Sequence, residues 1–236
     1  MTLKFSCFVT GTDTGVGKTL ISAAILHALG RAGLSATGVK PVAAGTEMRN
    51  GELINEDVLM LAAQSGCRLP RELTTPYLLR EPAAPHIAAA LEHVQIDPAK
   101  LLLAYQQVAQ MAQAIVVEGV GGFRVPLNDQ VDTADLAEQL GLDMILVVGL
   151  RLGCINHALL TAEAIASRGL RIAGWVANQI DINMPHQEAN LQALRQRLSA
   201  PLIGVVPWMA VPGAVAAADY LDCSLLNTWP TAASAP

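Results

Sequence analysis

The sequence is short of aromatic residues, at 4%, and short of charge, with Asp, Glu, Lys and Arg together at 15%. It has no basic block: 15 Lys and Arg stand against 20 Asp and Glu, a net charge of −5. That balance argues against a nucleic-acid platform, which gathers cations on one face. No apolar run approaches the roughly 18–20 residues of a membrane span. Met1-Thr2-Leu3-Lys4 leads into too short an apolar stretch for a signal peptide. The four cysteines, Cys7, Cys67, Cys154 and Cys223, lie far apart without CxxC spacing. They read as reduced thiols of a cytoplasmic protein, not as a disulfide frame or zinc site. What is abundant is aliphatic: 52% of the chain is hydrophobic, so its 236 residues can bury one large core.

Short β-leaning apolar runs alternate with helical stretches. Strands are expected at 5–10, 37–42, 114–118, 144–148, 172–177 and 202–206, and helices at 18–31, 57–64, 98–112, 133–140, 156–167 and 186–198. Four prolines in 69–85 mark an irregular connection. This order predicts an α/β fold with a mostly parallel sheet and helices on both faces. One domain over 1–226 is expected, followed by a loose C-terminal tail at 227–236, rich in Ala, Pro, Ser and Thr. Ligands of such sheets sit beyond the carboxyl ends of the strands.

At the first of these ends stands Gly11-Thr12-Asp13-Thr14-Gly15-Val16-Gly17-Lys18-Thr19. Glycines let backbone N–H groups approach a polyphosphate, and the helix beginning at Lys18 turns its positive end toward the same anion. Lys18 has the reach for the β- and γ-phosphates, and Thr19 the hydroxyl for Mg²⁺. Five residues separate Gly11 from Gly17, one more than the standard spacing. Glu118 closes the apolar strand at 114–118, the arrangement that aims a carboxylate at Mg²⁺ or its waters. Gly119-Val120-Gly121-Gly122 then lets the backbone come close to a phosphate. Asp57 either caps its helix or completes a metal shell with Thr19 and Glu118. Lys40 binds an anion beside the phosphates or is a solvated strand-end lysine. The helix start at Gly153-Cys154-Ile155-Asn156 offers N–H groups to a carboxylate, with Asn156 alternatively a simple N-cap. Asn178 pairs with an adenine edge or forms a turn.

The loop spacing resembles a P-loop NTPase branch that holds plasmid-partition ATPases and ATP-dependent amide ligases. Partition-type members carry a lysine five positions before the loop lysine; here that position is Asp13. Taken together the motifs resemble the dethiobiotin synthetases. The resemblance rests on Phe8-Val9-Thr10-Gly11-Thr12-Asp13-Thr14, Val16-Gly17-Lys18-Thr19, Lys40-Pro41-Val42-Ala43, Pro85-His86-Ile87, Val117-Glu118-Gly119, Leu152-Gly153-Cys154-Ile155-Asn156-His157 and Gly174-Trp175-Val176-Ala177-Asn178.

The resemblance implies an ATP- and Mg²⁺-dependent cyclo-ligase of biotin biosynthesis. It would join CO₂ to the two amines of 7,8-diaminononanoate, giving dethiobiotin, ADP and phosphate through a carbamate and a carbamic-phosphoric anhydride. Lys40 and Lys18 would be catalytic, and Thr19, Asp57 and Glu118 would hold the metal. ATP would be bound by Thr14, Gly15, Val16, Gly17, Lys18 and Thr19, with Asp57, Glu118, Gly119, Val120 and Gly121, and its adenine by Asn178, Pro207, Trp208 and Met209. Substrate would meet Thr14, Lys40 and Ala44, and its carboxylate would meet Gly153, Cys154, Ile155 and Asn156 of the other chain of a homodimer. The family often has serine where this chain has Ala44. The competing readings are another amide ligase of the same branch and a partition-type ATPase switch.

Overall fold

The computed structural model describes residues 2–230. In chain order the elements are β1 (Phe5–Gly11), α1 (Lys18–Arg31), β2 (Ala36–Val39), β3 (Val42–Ala44), β4 (Glu47–Arg49), β5 (Glu52–Ile54), α2 (Glu56–Gln64), α3 (Arg71–Thr74), β6 (Tyr77–Leu79), α4 (Pro85–Leu91) and α5 (Pro98–Met111). There follow β7 (Ala114–Glu118), α6 (Thr133–Leu140), β8 (Asp143–Leu150), α7 (Cys154–Ser167), β9 (Ile172–Gln179), α8 (Gln187–Arg197), β10 (Leu202–Val206) and α9 (Ala214–Ala218), then a 3₁₀ turn at Cys223–Leu225.

Six strands form one parallel sheet in the order β10-β9-β8-β1-β7-β2. Side chains alternate across it, as the pleat requires. Cys7 and Val9 of β1 join Ile21, Ile25 and Leu61 on the α1–α2 side, and Phe8 joins Val108, Ala112, Ala134 and Ala137 on the α5–α6 side. Both faces are therefore covered, which is why Ile115-Val116-Val117 and Ile145-Leu146-Val147-Val148 are apolar without alternation. Chain order reverses at β1, which lies between β7 and β8, so the crevice of the fold opens at its carboxyl end. No helix among the described residues is long and apolar enough to cross a membrane.

Three local expectations change. The strand expected at 37–42 breaks at Lys40-Pro41, because proline has no N–H to donate; β2 ends at Val39, and β3 pairs instead with β6 in a separate two-stranded sheet. The connection expected to be irregular at 69–85 contains α3 and β6. The helix expected from Asn156 begins at Cys154, with Gly153 (φ 93°) as its N-cap, so Asn156 is not the cap. Of the stretch expected as a tail, residues 231–236 lie outside the described residues. Within 227–230 the Trp229 ring meets Phe5 edge-on at 5.4 Å.

Candidate active site

The loop after β1 is fixed from several sides. Thr12 N donates to Val147 O of β8 at 3.1 Å, and Ile21 N donates to Gly17 O. Gly17 has φ 92°, the left-handed region that glycine enters freely. A Cβ there would lie 2.1 Å from Asn178 Nδ2. The Asn178 amide, buried at the end of β9, donates instead to Val16 O at 2.9 Å and so clamps the loop. Lys18 Nζ folds back onto Asp13 O at 3.0 Å. Asp13 itself accepts from Thr14 N and pairs with Arg151 after β8.

Three further elements bring their groups to this loop. Asn55 caps α2 by accepting from Val58 N at 3.2 Å. This settles the capping role on Asn55 and leaves Asp57, in the first turn, free to accept from Thr19 Oγ1 at 2.8 Å. Glu118 ends β7 closed off from solvent, and its Oε1 lies 2.8 Å from the same hydroxyl. Lys40 leaves β2 and lies 2.6 Å from Glu118 Oε1, 2.8 Å from Asp57 Oδ2 and 3.2 Å from Gly119 O. The Thr19 hydroxyl has one proton and serves one carboxylate at a time; the Lys40 ammonium lets both approach it.

The charges perturb one another. Burial alone would push the Lys40 ammonium below its ordinary 10.5, but Glu118 and Asp57 outweigh it and raise the value. Asp57 is pushed up by burial and down by the Lys40 charge and the hydrogen bonds from Lys40 and Thr19, with a net lowering. Lys18 has less compensation: burial first, and then the charge of Lys40, lower it to about 8. The site therefore holds one fixed cation and one that titrates near neutrality.

No group of three or more His, Cys, Asp and Glu side chains that could hold a metal is found among the described residues. The set here is of a different kind: one hydroxyl and two carboxylates, hard oxygens that suit Mg²⁺ when phosphate and water complete the shell. Glu118 Oε2 is buried with no hydrogen-bond partner, an oxygen for which such a cation or its water would be the natural partner. The residues fit the ion.

A cleft of about 920 Å³ opens over these groups. Thr14, Gly15, Gly17, Lys18, Thr19, Lys40, Ala44, Asp57, Glu118, Val120 and Gly121 of the expected set line it. Val16 and Gly119, both buried, do not, nor do Gly153, Cys154, Ile155 and Asn156, nor Asn178, Pro207, Trp208 and Met209. Cys154 is buried, while Gly153 and Asn156 are exposed at the start of α7. Trp208 N donates to the side chain of Gln179, one residue beyond Asn178, so 207–209 lies next to the loop clamp. Sequence reasoning missed Arg124, Val125 and the wall at 82–85. For the wall a signal existed in Glu81-Pro82 and Pro85-His86; for Arg124, paired with Asp132, there was none.

Known proteins resemble the chain in the same regions. Residues 6–214 match the family described as AAA domain. A protein named ATP-dependent dethiobiotin synthetase BioD from Janthinobacterium sp. (strain Marseille) is 58% identical over 236 residues, covering 98% of this chain and 100% of that one. Another of that name from Aromatoleum aromaticum (strain DSM 19018 / LMG 30748 / EbN1) is 56% identical over 210 residues, covering 89% and 93%. Among solved structures, a ParA family ATPase from Chlorobium tepidum TLS has a TM-score of 0.55 at 16% identity, covering 88% of this chain and 86% of that one; this is a likeness of fold alone. With a phosphate loop on a parallel sheet and this identity along nearly its whole length, the chain belongs to the ATP-dependent dethiobiotin synthetase family.

Proposed function

We propose that this chain converts 7,8-diaminononanoate, CO₂ and ATP to dethiobiotin, ADP and phosphate. The observation that carries the reading is the cluster of Lys40, Thr19, Asp57 and Glu118 at the floor of a cleft whose rim is the phosphate loop. One amine adds to CO₂ and loses a proton, giving a carbamate. A carbamate oxygen takes the γ-phosphoryl group and ADP leaves. The second amine then attacks the carbonyl carbon, phosphate departs, and the ring closes with loss of a proton.

Charge governs each of these steps. Lys18 moves from Asp13 O to the phosphates, which restores its proton. Lys40, held charged by two carboxylates, faces the carbamate and the γ-phosphoryl oxygens and offsets the negative charge that gathers there. Thr19, Asp57 and Glu118 would hold Mg²⁺, which supplies charge neutralisation on the phosphates. Asp57 and Glu118 then share their negative charge between metal and Lys40. Ala44, in the cleft wall, offers substrate no hydroxyl, and Thr46 does not line the cleft to replace one. Holding both amines beside one carbonyl supplies much of the remaining acceleration.

Asn178 and 207–209 would face adenine, and a second copy of the chain would present Gly153–Asn156 to the substrate carboxylate. A second copy would account for Gly153–Asn156 lying outside the cleft of one chain. A homodimer working in the cytoplasm on small molecules follows, and the free cysteines accord with that compartment. Phosphate release from Mg-ATP should require both 7,8-diaminononanoate and bicarbonate. The product should be heavier than the diamine by one carbonyl less two hydrogens. Release indifferent to the diamine would overturn the reading.

A further inference from the structure

A second cavity, about 410 Å³, lies along the outer edge of β2, walled by α2 and by residues of the segment 67–75. β2 is the last strand of the sheet, and its free edge is closed only at intervals. Cys67 N donates to Ala36 O, Gly38 N donates to Ser65 Oγ and Lys40 N donates to Thr74 O. Thr37 and Thr75 line the cavity and are buried, 1% and 4% exposed, so they form its inner surface. Each carries a hydroxyl that can donate to or accept from a bound group. Val58, Leu61 and Leu69 make the walls apolar, and Arg68 stands exposed at the rim, in no ion pair among the described residues.

We propose that this cavity binds a short aliphatic carboxylate that carries a second hydrogen-bonding group at its far end. The carboxylate pairs with Arg68, the chain lies against Val58, Leu61 and Leu69, and the far group meets Thr37 and Thr75. The site is separate from the phosphate cleft, yet it shares Lys40 with it. Its α2 wall begins one residue after Asp57. A bound ligand therefore bears on both charged groups from behind.

Cys67 lines the same cavity and is partly exposed, whereas Cys7, Cys154 and Cys223 are buried. Alkylation of Cys67 by iodoacetamide, followed by peptide mass spectrometry, therefore reports occupancy without reference to turnover. The probes are 8-hydroxyoctanoate, octanoate and 1,8-octanediol. We expect 8-hydroxyoctanoate to slow alkylation about sixfold at a concentration about five times its Kd, with the other two weaker. Arg68→Gln should reduce protection by both acids and leave the diol unchanged. Thr75→Val should bring the hydroxy acid down to octanoate. An unchanged alkylation rate at millimolar 8-hydroxyoctanoate, or equal protection in Arg68→Gln, would overturn the proposal.

Discussion

The ammonium of Lys40 lies 2.6 Å from the carboxylate of Glu118, and both side chains are closed off from solvent. Asp57, half exposed, completes the set from the other side. A lone buried lysine gives up its proton easily, but this one is held as a cation by two carboxylates. The same cation offsets the repulsion between the two carboxylates.

Lys40→Gln separates these roles. Turnover should fall by about 10²–10³, the loss seen when one group stabilising developing charge is removed. Mg-ATP affinity, measured by calorimetry, should change little, since Lys18 and the loop remain. Stability should also fall, because a buried pair broken on one side costs about 3–5 kcal/mol. Added Mg²⁺ should restore part of it by replacing the missing charge. Unchanged turnover would remove Lys40 from the chemistry.

Lys18 gives a pH signature. Its folded value of about 8 lies below the ordinary 10.5, so between those limits the unfolded chain binds more protons and this residue's contribution to stability rises with pH. Nucleotide binding runs the other way. At pH 8 the free protein holds about half a proton on Lys18, and a triphosphate against it restores the rest. Calorimetry of Mg-ATP binding in buffers of different ionisation enthalpy should therefore show about half a proton taken up at pH 8 and almost none at pH 6.5. Proton release at pH 8 would contradict the assignment.

The phosphate loop and Glu118 were legible in the sequence because each is local: glycines beside Lys18-Thr19, and an acid closing an apolar run. The Lys40 cluster was legible only as a list of residues, since contacts between positions 19, 40, 57 and 118 depend on the strand order. Helix α1 is buried almost all round, beneath α2 and α9, and this weakens the periodicity that marks a one-sided helix. The hairpin of β4 and β5 had a local signal that went unread. Asn50-Gly51, both at positive φ, is the pair that a two-residue hairpin favours. Arg124 follows the Gly121-Gly122 turn that lines the same cleft, but its pairing with Asp132 has no local mark in the sequence.

Gly17→Ala tests the clamp on the loop. The new Cβ would meet Asn178 Nδ2 at 2.1 Å and would also require φ near 92° from an L residue. Each strain is of the order of 1–3 kcal/mol, and the loop relieves both by leaving its phosphate-binding shape. We expect Mg-ATP affinity to fall at least tenfold while the sheet remains folded by circular dichroism. Gly17→Ala with Asn178→Ala removes the clash but keeps the backbone strain and also loses the amide that holds Val16 O, so it should recover part of the affinity at most. Full recovery would show that φ at Gly17 is unimportant.

Trp229 tests how the chain is fastened after its last helix. Its ring meets Phe5 at 5.4 Å with an interplanar angle of 71°, and its backbone N–H donates to Leu226 O at 2.8 Å. Phe5 opens β1, whose other end carries the phosphate loop, so this contact anchors the strand from which the site is built. An edge-on aromatic pair contributes about 0.5–1.5 kcal/mol beyond burial, and the partly buried indole adds apolar area. Trp229→Ala should therefore destabilise by about 1–2 kcal/mol, lowering Tm by several degrees in a calorimetric scan. Turnover per folded molecule should not change, because Trp229 lies at the opposite end of β1 from the cleft. An unaltered Tm would show that β1 is held by its sheet neighbours alone.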